Sequence, residues 1–315
     1  MLRIEDMLAG RKFVVLDGAF ATELEGLGLN INDKLWSALA LIAHQLLIKK
    51  VHLSYLQAGA DIITSSSYQA TVSAFVQKGL TVQKARELIG SSIRLAKEAR
   101  DEFIASAQFD PQKRGKPQVA ASLGPYGAYL ADGSEYRGNY GISEKELKKF
   151  HAERMTIMAE ESPDLFALET VPELDEAVAV AELMSDLKIE APLWISFSCR
   201  DGEHISDGTE IARCAQELDR FDRVIALGVN CTHPKYVESL IRNIRKYSSK
   251  HVVVYPNSGE SYDPLTKTWS GSMTEFLSNV ANWYEAGATM IGGCCRTTPA
   301  DIAKIAALSY EQEGI

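Results

Sequence analysis

Hydrophobic positions along this chain fall into short, nearly continuous runs separated by longer stretches of helical periodicity. Eight apolar runs rich in β-branched residues stand out: Phe13–Leu16, Asp61–Ser65, Gln118–Ser122, Leu165–Glu169, Leu193–Ser198, Val224–Val229, His251–Tyr255 and Thr289–Ile291. Most are followed by an amphipathic stretch. Apolar strands alternating with helices predict a parallel sheet covered on its outer face. Eight such units predict an α/β fold, a (β/α)8 TIM-type barrel, as a single domain over residues 1–315; a doubly wound open sheet is the alternative. Helix starts support the division. Thr298-Pro299-Ala300-Asp301 offers an N-cap, a proline at N1 and an acid at N3, and Ser143-Glu144-Lys145-Glu146 opens a helix in the same way.

Residues able to do chemistry collect at the carboxyl ends of these runs: Asp17, Ser65 to Tyr68, Gly124, Glu169, Ser198, Asn230, Cys231, Asn257, Cys294 and Cys295. In an α/β barrel that face carries the active site, so the strands aim at one crevice. Two long segments leave it, Tyr126–Gly141 and Pro256–Ser272. Neither shows a helical pattern, and both are expected to be binding elements or lids. Ser106–Lys116 reads as a plain solvent loop.

The chain has five cysteines. Cys231 ends the sixth run, and the vicinal pair Cys294-Cys295 follows the eighth. Three thiolates arriving from two strand ends suit a soft tetrahedral cation, zinc by default, and three protein ligands leave the fourth position open, as in catalytic sites. Adjacent strand residues point to opposite faces, so the chain must turn at the pair, and Gly292-Gly293 is expected to permit that turn. Cys199 and Cys214 read as small buried apolar residues, although Cys199 as a fourth ligand would make the site structural. His233 reads as a loop histidine. A vicinal pair makes a poor structural disulfide, and an odd cysteine count fits reduced thiols in the cytoplasm. An all-thiolate shell leaves zinc a weak Lewis acid towards carbonyls, yet lets a fourth sulfur bind it as a nucleophilic thiolate at neutral pH. The pattern favours activation of a thiol substrate over activation of water.

Asp17-Gly18-Ala19-Phe20 is a strand end followed by a helix start, whose backbone N–H groups from Gly18 to Phe20 can hold a carboxylate while Asp17 takes an ammonium group. Glu169 closes an apolar strand, where an unpaired charge is costly, so a cationic partner is expected. Two acids beside an anion-binding turn describe a pocket for an α-amino acid with its side-chain thiol at the metal. Tyr68 and Trp36 are candidate walls, and Asn230 a group that orients Cys231 or the substrate.

Composition narrows the partners. The net charge is −9 with no block of Lys or Arg, which argues against nucleic acid and anionic membranes. No apolar run approaches the roughly 20 residues of a membrane span, and the amino terminus lacks a signal-peptide core. Small molecules are the expected partners; oligomeric state is not legible.

Taken together, Leu16-Asp17-Gly18-Ala19, Gly228-Val229-Asn230-Cys231 and Gly292-Gly293-Cys294-Cys295-Arg296-Thr297 resemble the homocysteine S-methyltransferase family almost end to end. Ser122 to Gly127, Tyr129 to Gly138 and Tyr255 to Glu260 look like its S-methylmethionine-using branch. The resemblance implies a (β/α)8 barrel with catalytic zinc on Cys231, Cys294 and Cys295. It implies homocysteine held by Asp17, Glu169 and the backbone near Ala19 and Phe20, and a sulfonium donor, S-methylmethionine or S-adenosylmethionine. Tyr129 and Tyr136 are expected to face that donor through cation–π attraction. Rival readings are methyl transfer to selenium analogues and a zinc- or thiol-binding barrel without catalysis.

Overall fold

The computed structural model describes residues 3–29, 36–259, 261–263, 268–270 and 276–310. Eight parallel strands form one sheet: β1 (Val14–Val15), β2 (Ile62–Thr64), β3 (Gln118–Leu123), β4 (Leu165–Val171), β5 (Leu193–Phe197), β6 (Val224–Asn230), β7 (His251–Tyr255) and, after a short antiparallel hairpin of β8 (Ser261–Asp263) and β9 (Thr268–Ser270), β10 (Met290–Ile291). Sheet order is β1-β10-β7-β6-β5-β4-β3-β2, and a bridge from Leu16 to Ile62 closes the ring. The predicted (β/α)8 barrel is present. All eight expected runs become strands, shifted by at most two residues at either end.

Alternation along the strands divides two cores. Val14, Leu16, Ile62, Ala120, Leu165, Ala167, Trp194, Ala226, Val253 and Met290 fill the barrel interior, with Ile4 of the first helix packed on them. The intervening residues, such as Val15, Ile63, Val119, Phe166, Ile195 and Leu227, meet the surrounding helices. Because side chains repeat on one face every second residue, the next interior positions are Thr64, Ser122, Glu169, Ser196, Asn230 and Tyr255. The barrel is therefore apolar through its middle and polar at its carboxyl-terminal mouth.

The helix starts behave as expected. Ser143 and Thr298 each form a capping box, with Glu146 and Asp301 respectively. Ser106–Lys116 departs from expectation. Its Arg114 side chain is only 10% exposed and reaches under the barrel to Asp61 (3.2 Å) and the Leu56 carbonyl (2.9 Å). Tyr126–Gly141 also departs: it holds a short helix, Tyr126–Leu130, and a single helical turn, Ser134–Tyr136. Left-handed residues at Ala131, Gly133, Gly138, Asn139 and Gly141 break any longer period, which hid both from the sequence.

Candidate active site

The three cysteines converge at the mouth. Their sulfur atoms all lie within 4.8 Å of one another, with Cys231 Sγ 4.0 Å from Cys295 Sγ. The Cys231 and Cys294 sulfurs meet in bonding contact, their Cα atoms 5.6 Å apart. Thiols gathered closely enough to share one metal are also within bonding reach of each other. As three free thiolates the set fits zinc, since Zn–S bonds of about 2.3 Å put tetrahedral sulfurs roughly 3.8 Å apart. Burial pushes the Cys295 thiol up to about 11, so a nearby cation is what would keep it as thiolate. Cys199 stays outside the cluster, its N–H on Thr232 Oγ1 (3.0 Å), and His233 caps the helix Pro234–Arg245 by accepting from the Lys235 N–H (3.3 Å). Three ligands, with no fourth among the described residues, are what the structure offers.

Local backbone explains the convergence, though not through the expected glycine turn. Neither Gly292 nor Gly293 has a positive φ; the left-handed residues are Cys231 (φ 46°) and Arg296 (φ 69°). The glycines are needed for close approach instead. A Cβ on Gly292 would come within 2.6 Å of Leu16 Cβ and 2.8 Å of the Asp17 carbonyl, and one on Gly293 would strike the Thr297 side chain. Backbone bonds from Gly293 to Asp17 (3.1 Å) and from Cys294 to Pro256 (2.8 Å) then fix the cysteine pair between β1 and β7.

Beside the sulfurs lie the two acids. Asp17 accepts from the Thr64 N–H (2.7 Å) and hydroxyl (3.0 Å). Glu169 accepts from the Ser122 hydroxyl and from the Tyr255 hydroxyl (3.0 Å). The cationic partner expected for Glu169 is absent among the described residues, and hydroxyls take its place. Burial raises Asp17 to about 8 against the bonds from Thr64, with the Glu169 charge adding to the rise, and burial raises Glu169 to about 7. Two neighbouring carboxylates that cost energy when charged form a site for a cation.

Asn230 serves this arrangement from behind. Its Oδ1 accepts from the Thr170 N–H (2.7 Å) and the Ser196 hydroxyl (2.9 Å), and its Nδ2 donates to Thr170 Oγ1 (2.7 Å). Its amide thus holds Thr170, a left-handed residue (φ 61°), and with it the end of β4 that carries Glu169. Of the three N–H groups expected to be open at the helix Phe20–Gly26, that of Ala19 is taken by Thr297 Oγ1 (3.2 Å). The Phe20 ring packs on His52, with centroids 5.2 Å apart. Tyr68 lies over Gly124, where a Cβ would come within 2.8 Å of its ring, and its phenol is close enough to Glu169 to be raised further by that charge after burial. Trp36 opens the helix Trp36–Ala43, but its side chain lies outside the described residues, as does much of Pro256–Ser272.

The segment 125–141 packs over this mouth, held by a buried network that the sequence did not reveal. Glu176 Oε1 accepts from the Tyr126 N–H (2.6 Å) and bonds His151 Nε2 (2.7 Å), while Arg154 donates to the Gly124 carbonyl. Further along, Asn139 N–H donates to Glu173 (2.6 Å) and the Ser198 hydroxyl to the Glu135 carbonyl (2.8 Å). The two expected donor tyrosines separate. Tyr129 packs among Tyr126 and Phe150 with its hydroxyl on Gln77 (3.0 Å), whereas Tyr136 is 48% exposed on its helical turn. Thr64, Ser122, Tyr255 and Glu135 were missed by sequence reasoning. The first three carried a usable signal, a hydroxyl two residues beyond an interior apolar position.

Comparison with known proteins gives one answer. The family model for homocysteine S-methyltransferase matches residues 14–309. Homocysteine S-methyltransferase YbgG of Bacillus subtilis is 51% identical over 306 residues, covering 96% of each chain. The homocysteine methyltransferase MmuM from Escherichia coli has been solved in a metallated form, with TM-score 0.86 and 41% identity over 96% of this chain and 99% of that one. Its oxidized form gives TM-score 0.88 at 41% identity, over 97% and 99%. On matched length, barrel and motifs alike, the chain belongs to the homocysteine S-methyltransferase family.

Proposed function

We propose that the protein makes methionine by moving a methyl group from a sulfonium donor, S-methylmethionine or S-adenosylmethionine, to the thiolate of L-homocysteine, with zinc held by Cys231, Cys294 and Cys295. The observation that carries this reading is the placement of three convergent sulfurs beside two buried carboxylates that no protein cation neutralises among the described residues. The metallated form of the Escherichia coli relative supports a metal on such a chain. Zinc bound there would keep the acceptor sulfur deprotonated and nucleophilic at neutral pH.

The rest falls to the chain's own residues. Asp17 and Glu169 take the homocysteine ammonium group, held in place by Thr64, Ser122 and Tyr255. The main chain at Gly18 and Phe20 faces its carboxylate, and Tyr68 and Trp36 wall the pocket. Asn230 fixes the β4 end behind Glu169. On the donor side Tyr136 presents its ring to the sulfonium, with Tyr129 supporting the segment from below. The acceptor sulfur forms a bond to the methyl carbon as the carbon–sulfonium bond breaks. The electron pair stays on the departing sulfur, which leaves as a neutral thioether, so no general acid is required. Rate then comes from alignment and a poised nucleophile.

The test is methionine formation by zinc-loaded protein from homocysteine, with S-methylmethionine, S-adenosylmethionine or betaine supplied separately. Turnover is expected with the sulfonium donors, and Cys294→Ala should lose zinc together with activity, by on the order of a thousandfold or more. A zinc-free Cys294→Ala protein with full activity would overturn the reading. So would a zinc-loaded wild type that turns over no donor, which would leave a zinc- or thiol-binding barrel.

A further inference from the structure

A further acid, besides Asp17 and Glu169, lies at the mouth. Glu135 lies in the helical turn Ser134–Tyr136, and its Oε2 is buried without a hydrogen-bond partner among the described residues. Its main chain is fixed on two sides. The Ser198 hydroxyl at the end of β5 holds its carbonyl, and Gly127 packs so closely beneath it that an added Cβ would lie 2.5 Å from the Glu135 nitrogen. The nearest cation in sequence, Arg137, is engaged elsewhere, with Ser134 Oγ at 3.2 Å and Asp132 at 3.6 Å. Because the Ser198 hydroxyl just beyond β5 holds the Glu135 carbonyl, the residue sits at the carboxyl-terminal mouth, on the side covered by segment 125–141.

A buried carboxylate oxygen without a donor is costly, and the cost is recovered when a ligand supplies an N–H. A sulfonium centre has no hydrogen to donate, so it cannot satisfy this atom, whereas an α-ammonium group can. The acceptor's ammonium already has two carboxylates of its own. We propose that Glu135 binds the α-ammonium group of the methyl donor, so that the site selects aminoacyl sulfonium compounds over sulfonium compounds lacking an amine. This rests on the sulfonium-donor reading above. The same carboxylate would admit S-methylmethionine and S-adenosylmethionine alike, since both carry the amine. It would discriminate against dimethylsulfonio-alkanoates, which carry the same reacting methyl group but no N–H.

The experiment uses the full-length, zinc-loaded protein as wild type, Glu135→Gln and Glu135→Asp. S-methylmethionine serves as donor, and an amine-free dimethylsulfonio-alkanoate as alternative donor or competitive inhibitor. Glu135→Gln is expected to raise KM for S-methylmethionine by roughly tenfold to a hundredfold, with KM for homocysteine unchanged. The KM or Ki of the amine-free compound should stay the same, so selectivity collapses, and Glu135→Asp should restore part of it. An unchanged donor KM, equal losses for both sulfonium compounds, or a rise confined to homocysteine would each overturn the assignment. Absence of turnover by the wild type with every sulfonium donor would overturn the underlying reading itself, and is recognised before any substitution is made.

Discussion

At the amino-terminal end of the barrel, buried Asp61 is enclosed by Arg11 and Arg114 and accepts the Val15 N–H at 2.9 Å. At the carboxyl-terminal end, Asp17 and Glu169 are about as buried but are met by hydroxyls and one amide, with no cation among the described residues. Both ends bring carboxylates out of water, which costs several kcal/mol per charge unless a partner repays it. The lower end is repaid within the fold. At the mouth the cost stands as raised carboxyls until a ligand brings the missing charge. On the proposed function, the same residue type serves structure at one end of the strands and substrate binding at the other, and the partner set tells them apart.

Breaking the lower pair should have the largest effect. Asp61→Asn strands two guanidinium groups and is expected to cost about 3–5 kcal/mol of stability, read by chemical denaturation. KM for homocysteine in the folded fraction should not change. A loss below about 1 kcal/mol would show that the two ends do not differ as argued.

At the mouth the same kind of change should act in the opposite sense on stability. Asp17 and Glu169 have folded-state values raised to about 8 and about 7, from 3.8 and 4.5. An acid raised on folding contributes stability that is complete below its unfolded value and is lost as pH rises through its folded one. The substrate-free protein should therefore fall in Tm between pH 5 and 8, by roughly a few degrees. Glu169→Gln should flatten that fall while weakening homocysteine binding by roughly tenfold to a hundredfold. A variant that lost Tm at pH 8 as Asp61→Asn does would place Glu169 with the structural acids.

Much of this was legible in the sequence because parallel strands buried on both faces leave continuous apolar runs, and because the cysteine motifs sit directly at strand ends. Asp17 and Glu169 were legible for the same positional reason. Their partners were not. Ser122 and Tyr255 lie 47 and 86 residues from Glu169, and only closure of the barrel brings them to it. Ser106–Lys116 reads as a solvent loop because a polar segment looks alike whether its arginine faces water or turns under the barrel. The clamp of Glu176 on Tyr126, across 50 residues, left no periodic trace either. Gly292 and Gly293 matter for a different reason than the sequence suggests, since the structure uses their missing side chains rather than their backbone freedom.

The account stands or falls on the mouth acids being left for a substrate ammonium group. The direct measurement is calorimetric binding of L-homocysteine and of its des-amino analogue, mercaptobutanoate, to the zinc-loaded protein at pH 8. Both carry the thiol and the carboxylate, so they differ only at the group that Asp17 and Glu169 are argued to hold. The account predicts that homocysteine binds roughly tenfold to a hundredfold more tightly. Equal affinities would contradict it, and would return both acids to a purely structural role.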